Sequence, residues 1–373
     1  MAHAYTPGLR VTEQTLLRKL RRLPLPGRML VQVGDAVRAT DVVAATELPG
    51  NVTTVNIARE MNCQPNEVPG YMVKQVGDGV EAGEVLAEAK SFFGLFHSYA
   101  KAPVPGTIES ISEITGQVLL RGAPTPVSLE AYIDGTVVEL VGDEGVAVET
   151  VGALLQGIFG LGGETYGELR FACAAPDEPL TPERIGDDCA GKIIVGGSHA
   201  GLAALRRAIE VGAKAVVVGG VSDTDVDELL GYHLGVAVTG HEKLGLTLVV
   251  TEGFGAIPMA QRSFELLRAR EGRSASVSGA TQIRAGVIRP EVIIADPEGQ
   301  PVVSDEGEAG LINLGSPIRL IREPYFGQLA TVTALPEEPR QIPTEAHVRV
   351  LQAKLEDGTE VTVPRANVEL IEQ

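Results

Sequence analysis

Short runs of apolar residues separated by glycine and polar turns dominate the chain, and only its middle third departs from that pattern. From Arg28 onward the runs are strand-length. They are bounded by Gly-Asp and Pro-Gly pairs, the punctuation of β-hairpins and meanders. Before them, Leu16, Leu17, Leu20 and Leu23 stand at helical spacing among Arg18, Lys19, Arg21 and Arg22. This predicts a short basic amphipathic helix over Thr12 to Leu23, closed by Pro24 and Pro26. Between Gly191 and Arg270 the pattern becomes strand, helix, strand. Apolar runs at Ile193 to Val195, Val216 to Val218 and Leu246 to Val250 alternate with the helical segments AGLAALRRAIEVG, DTDVDELLG and PMAQRSFELLRAR. Continuous apolar strands joined by helices predict a parallel sheet covered on both faces.

Two internal repeats run through the first third. Gln32 to Ala44 reads QVGDAVRATDVVA and Gln75 to Ala87 reads QVGDGVEAGEVLA, while GTIESI at Gly106 to Ile111 is echoed by GTVVEL at Gly135 to Leu140. Repeated half-motifs predict a pseudo-symmetric fold with equivalent turns. The stretch VGDGVEAGEVLAEAK followed by KAPVPGTIESI resembles the biotinyl and lipoyl carrier domains and their non-carrier relatives, the barrel-sandwich hybrids. Lys90 stands nearest the carrier lysine of that pattern. Here SFFGLFHSYAK follows it where carriers keep a tight hairpin, so the reading is a non-carrier module without biotin or lipoate. Phe92, Phe93 and Phe96 in that insertion are candidate partner-docking residues.

Gly152 to Arg170, GALLQGIFGLGGETYGELR, carries too many glycines for a stable helix and is expected to form a bend or ligand-hugging loop. Its glycines lack phosphate-loop spacing and no GK[ST] follows. At the far end, Gly315 to Glu372 resembles the KOW and SH3-like domains of transcription elongation factors and ribosomal proteins. The resemblance rests on Ile318 to Ile321, the Pro324-Tyr325-Phe326-Gly327 turn, Ala330 to Ala334, Val348 to Leu355, the Glu356-Asp357-Gly358 hairpin and Val361 to Val363. Tyr325, Phe326 and Arg322 are its candidate partner-binding residues.

These readings give a multidomain, mainly β chain with a central α/β unit. Its parts are an N-terminal helix and linker over 1–27, a barrel-sandwich hybrid over 28–170, a short parallel α/β sheet over 186–295 and an SH3-like barrel over 311–373. A hydrophobic fraction of 44% with only 4% aromatics means that the cores are filled by Val, Leu, Ile and Ala. The net charge of −18 opposes non-specific attraction to phosphate backbones. Within the C-terminal segment, acidic residues outnumber Arg319, Arg322, Arg340, Arg349, Lys354 and Arg365. RNA contact is therefore disfavoured there, and a protein partner is expected.

Candidate chemistry is sparse. Cys63, Cys173 and Cys189 are widely spaced, outside any metal-ligand pattern, and read as buried thiols. Neither a charged leader nor an apolar run long enough to span a bilayer is evident, so a cytoplasmic protein without a membrane role is expected. The strand-end loops of the α/β unit are the one candidate ligand site: Gly196, Gly197, Ser198 and His199; Gly219, Gly220 and Asp223; and Glu252. Backbone N–H groups there could meet a small anion, with His199, Asp223 and Glu252 as polar groups. No serine lies in a nucleophile elbow, no catalytic residue is assigned, and neither a cofactor nor a metal is expected. The functional reading is a non-enzymatic modular binding or scaffold protein of a cytoplasmic assembly. Its alternatives are a small-molecule enzyme using the strand-end loops and RNA or ribonucleoprotein association through the C-terminal module.

Overall fold

The computed structural model describes residues 9–91, 96–233, 242, 244–281, 288–300, 312–320, 324–325, 328–336, 338–341, 347–355 and 358–372. Strand dominates over helix throughout. Among the described residues, a hydrogen-bonded path runs through a 16-stranded sheet from the α/β unit to the C-terminal strands, beside three smaller sheets and a separate hairpin-like pair.

The predicted N-terminal helix is instead the 14-residue strand Leu9–Arg22. It runs antiparallel to Gly145–Gln156 over nearly its whole length. The leucines fit a helix because the inward face of the strand is only partly apolar. Leu17 and Leu23 are buried, Leu16 and Leu20 are exposed, and between the two buried leucines stand Lys19 and Arg21. Those cations reach acids supplied from distant sequence. Lys19 Nζ lies 2.6 Å from Glu291 Oε1, and Arg21 makes a forked pair to Glu164 at 2.7 and 2.6 Å. The Arg21 guanidinium also sits 5.2 Å above the Tyr132 ring, a cation over an aromatic face. The strand and its Gly145–Gln156 neighbour serve two cores. Leu9, Val11, Ala153 and Leu155 pack with the α/β unit, whereas Leu17, Leu23, Val146 and Val148 pack with the N-terminal module.

The N-terminal repeat is built twice, one copy inside the other. Gly34 and Gly77 take φ of 96° and 94°, a region open to glycine. In the turns around them, Asp35 accepts from Gln32 N–H and Asp78 from Gln75 N–H, both at 2.7 Å. The short strand Ala36–Val37 pairs with Gly135–Val141, and Gly79–Val80 pairs with Gly106–Ile111. Each copy then extends into two antiparallel arms, Val42–Leu48 with Thr125–Glu130 and Val85–Ser91 with Phe96–Lys101. The irregularity in each ladder falls at matching positions: Glu130 faces Val42 and Leu129 faces Ala44, as Lys101 faces Val85 and Ala100 faces Ala87. The outer arms therefore open between Leu48 and Thr125 to admit the whole inner copy. The inner copy keeps its own core of Val55, Ile57, Leu86, Ile108, Val118 and Leu120.

In the α/β unit, Glu164–Phe171, Ile193–Val195, Ala215–Val221 and Thr247–Phe254 run parallel in that spatial order. The first of these lies upstream of the boundary expected at 186. All of it but Phe171 falls within the glycine-rich segment for which a loop is predicted, and Phe159–Leu161 from the same segment forms an antiparallel strand beside Thr247–Phe254. The glycines mark close backbone contact here. A Cβ at Gly160 would stand 2.7 Å from Gly279 O and 2.9 Å from Leu248 O, and one at Gly157 2.7 Å from Val250 O.

Alternate strand residues sort to opposite faces, as the period of 2 requires. Phe171, Val195, Val217 and Val249 meet Phe264 and Leu267 of helix Gln261–Arg268. Ile194, Val216, Val218 and Val250 meet Ala204, Leu205 and Val226 of helices Leu202–Glu210 and Asp223–Leu230. The parallel strands are covered on both faces, but the sheet they belong to is mixed, with Phe159–Leu161 antiparallel on one side and Ser274–Ser278 antiparallel to Glu164–Phe171 on the other.

The C-terminal strands Pro317–Leu320, Leu329–Ala334, Val350–Leu355, Glu360–Pro364 and Val368–Glu372 form one antiparallel array, with the last strand beside the first. A 3₁₀ turn, Arg365–Asn367, joins the final two. Their shared core includes Ile318, Leu320, Val332, Leu351, Val363, Val368 and Leu370. Backbone pairing of Leu9 with Ile371 and Arg10 with Glu372 ties this unit to the long N-terminal strand. Among the described residues no helix is long and apolar enough to cross a membrane.

Candidate functional site at the strand ends

Of the expected strand-end loops, only 196–199 follows its strand as expected: Gly219 and Gly220 lie inside the strand Ala215–Val221 and Glu252 inside Thr247–Phe254, because the ladder runs on past the predicted strand ends. Gly219 N–H donates to Gly197 O at 2.8 Å and Ala200 N–H to Gly220 O at 3.1 Å. On the outer side, Ser198 N–H donates to Glu178 O at 2.9 Å and Leu180 N–H to His199 O at 2.7 Å. Gly255 N–H closes the other flank on Val221 O at 2.8 Å. Several amides that sequence reasoning offers to an anion are thus donors within the chain.

The glycines are explained by the same crowding. A Cβ on Gly197 would lie 2.3 Å from Glu178 O, one on Gly219 2.3 Å from Ile257 O and one on Gly220 2.0 Å from Gly255 O. A Cβ on Gly196 would meet the Leu180 side chain at 3.1 Å. Gly197, Gly219 and Gly220 therefore need glycine to let the chain's own backbone pass, whereas Gly196 abuts side chains only. Glu178 helps to fix the bordering loop: its Oε2 accepts from Ala174 N–H at 2.9 Å and from Arg184 at 2.8 Å. The first of these contacts, with Arg184 nearby, holds its carboxyl below the usual range.

The three expected polar groups go separate ways. Asp223 is exposed and accepts from Thr224 N–H at 2.8 Å. His199 stands half-buried over Gly201, near Asp225, whose carboxylate accepts from Leu202 N–H at 3.0 Å at the start of the neighbouring helix. Ser198 is buried. Glu252 is buried beneath the C-terminal unit. Its Oε1 accepts from Ala260 N–H at 2.9 Å, and its Oε2 forms an ion pair with Arg319. Arg319 Nη1 also donates to Thr251 O at 3.2 Å.

Arg319 is the residue that sequence reasoning misplaces, having grouped it with surface cations. A signal was present in Ile318-Arg319-Leu320 and Val368-Glu369-Leu370, where opposite charges occupy the outward positions of two apolar strands. Those strands pair with Arg319 opposite Glu369, and Glu369 meets Arg289.

The remaining candidates are less informative about a site. Tyr325 is half-buried against the C-terminal core, while Arg322, Phe326, Phe92 and Phe93 lie outside the described residues. Phe96 begins the strand Phe96–Lys101, and Lys90 pairs with His97 across that ladder. Arg365 is turned inward, donating to Val350 O and Pro336 O at 3.2 and 2.9 Å. Cys173 and Cys189 are buried, and burial pushes both thiols up; Cys63 is only partly buried. Among the described residues no group of three or more His, Cys, Asp or Glu side chains could hold a metal ion. Compared with known proteins, the chain matches no protein family, and no curated protein sequence is similar to it.

Proposed function

We propose that this chain is a non-enzymatic modular binding protein that serves as a scaffold in a cytoplasmic assembly. A duplicated barrel-sandwich module and an SH3-like barrel hang from a common sheet. The observation that carries this reading is the internal use of the strand-end chemistry: the glycines admit backbone, and Glu252 is committed to Arg319 and Ala260 N–H. Strand ends committed in this way serve cohesion first.

Finer assignments have their own support. Equivalent Gly-Asp turns and matching ladder irregularities favour the barrel-sandwich assignment for both nested copies. The five-strand order with a 3₁₀ turn before the last strand favours the SH3-like assignment. Inward use of Arg319 and Arg365 removes two cations from a phosphate-tracking face, which favours a protein partner over RNA.

The test is native isolation with chemical cross-linking, combined with thermal-shift screening against small metabolites. A stoichiometric protein partner cross-linked to the inner repeat or the C-terminal unit is the expected result. A metabolite that stabilises the chain, with the effect lost on substituting His199 or Asp223, would replace this reading with the enzyme alternative. RNA binding by the full chain that weakens linearly in log affinity with log salt would replace it with the nucleic-acid alternative.

A further inference from the structure

Two ion pairs are buried where the C-terminal unit meets the carboxyl edge of the α/β sheet. Arg319 and Glu252 retain 2% and 3% side-chain exposure, and Arg289 and Glu369 retain 15% and 7%. Cross-strand pairing places Arg319 beside Glu369, so two cations and two anions share one junction. Glu252 also receives the Ala260 amide at the start of helix Gln261–Arg268. A single acid therefore joins the last parallel strand, the following helix and the C-terminal unit.

We propose that this junction is a releasable latch: the C-terminal unit is a cap whose Arg319 sequesters Glu252, and undocking bares that carboxylate at the strand-end rim. Three features make the contact separable. The C-terminal unit keeps its own core, with Ile318, Leu320, Val368 and Leu370 facing inward, so departure does not open it. The side chains it lends to the ion pairs are charged, and water can solvate them after release. Docking also strands a donor, because Arg319 Nε is buried without a hydrogen-bond partner among the described residues.

The same charges make the latch two-state. Buried ion pairs gain little over full hydration, but a buried charge robbed of its partner is strongly unfavourable. Fully docked and fully released arrangements are both tolerated, whereas a half-open junction is not. A device of this kind needs a bistable element biased by few contacts. The backbone tether beside it is short, with Leu9 and Arg10 paired to Ile371 and Glu372.

This inference stands on the docked geometry and is independent of which partner the protein binds. Hydrogen exchange measured by mass spectrometry on the full chain tests it, comparing wild type, Arg319→Met, Glu252→Gln and the charge swap Arg319→Glu with Glu252→Arg. Either single substitution is expected to speed exchange at least tenfold at amides 9–11 and 253–260, with protection of Val350–Leu355 unchanged. The swap is expected to recover part of that protection. Unchanged exchange in both single variants would overturn the proposal. So would loss of protection at Val350–Leu355 in both, because the pair would then belong to the folding of the cap.

Discussion

Replacing Gly220 by alanine adds one methyl group at a point where the structure has no room for it. The new Cβ would stand 2.0 Å from Gly255 O and 3.2 Å from Ile257 N. Ordinary contact begins at 3.4 Å, so one backbone segment must move by roughly 1.4 Å, and a packed core resists such displacement. Both flanks are hydrogen-bonded: Gly220 O accepts from Ala200 N–H at 3.1 Å and Val221 O from Gly255 N–H at 2.8 Å. Overpacking costs about 1–3 kcal/mol, and two weakened hydrogen bonds add about 1 kcal/mol each. The expected loss is about 3–5 kcal/mol of local stability. Units with separate cores need not unfold together, so the assay is hydrogen exchange at Ala215–Val221 with urea denaturation alongside. Gly163→Ala is the control, since a Cβ there meets nothing within 4 Å and its φ is not left-handed. Equal protection in Gly220→Ala and Gly163→Ala would refute the crowding account and return these glycines to the role of ligand-admitting positions.

Two further substitutions probe the chain elsewhere. Leu17→Asp should cost at least about 3 kcal/mol, because a buried side chain gives way to an unpaired charge, while exposed Leu16→Asp should change the urea midpoint little. Comparable losses at both sites would contradict the strand register. For Glu178, the folded pKa lies below the ordinary value chiefly because Ala174 N–H binds the carboxylate. Its contribution is therefore present above the unfolded pKa and lost as pH falls through the folded one. An NMR titration of the Glu178 carboxyl should show a midpoint below that of ordinary glutamates, and a midpoint at or above theirs would dismiss the contact.

The sequence by itself determined the local structure wherever chemistry and spacing act over a few residues. Glycine at 34 and 77 with aspartate after it encodes the same turn twice. The apolar runs 193–195, 216–218 and 246–250, separated by amphipathic segments, encode strands that both faces must bury. Tertiary structure decided the cases in which a residue's role depends on a partner far along the chain. Leu16, Leu17, Leu20 and Leu23 make Thr12 to Leu23 look like a basic helix until Glu291 and Glu164 arrive to neutralise Lys19 and Arg21 on an inward strand face. Gly157 and Gly160 look like parts of a loop until the carbonyls of 248, 250 and 279 fill the space their missing side chains leave. The nesting of one repeat within the other depends on Val42–Leu48 pairing with Thr125–Glu130 across the whole length of the inner copy. Glu252 reads as a free strand-end acid until Arg319 is packed against it. Pairing of charge across long sequence separation leaves no periodic trace, which is why the candidate site was legible as residues and only the fold settled what those residues touch.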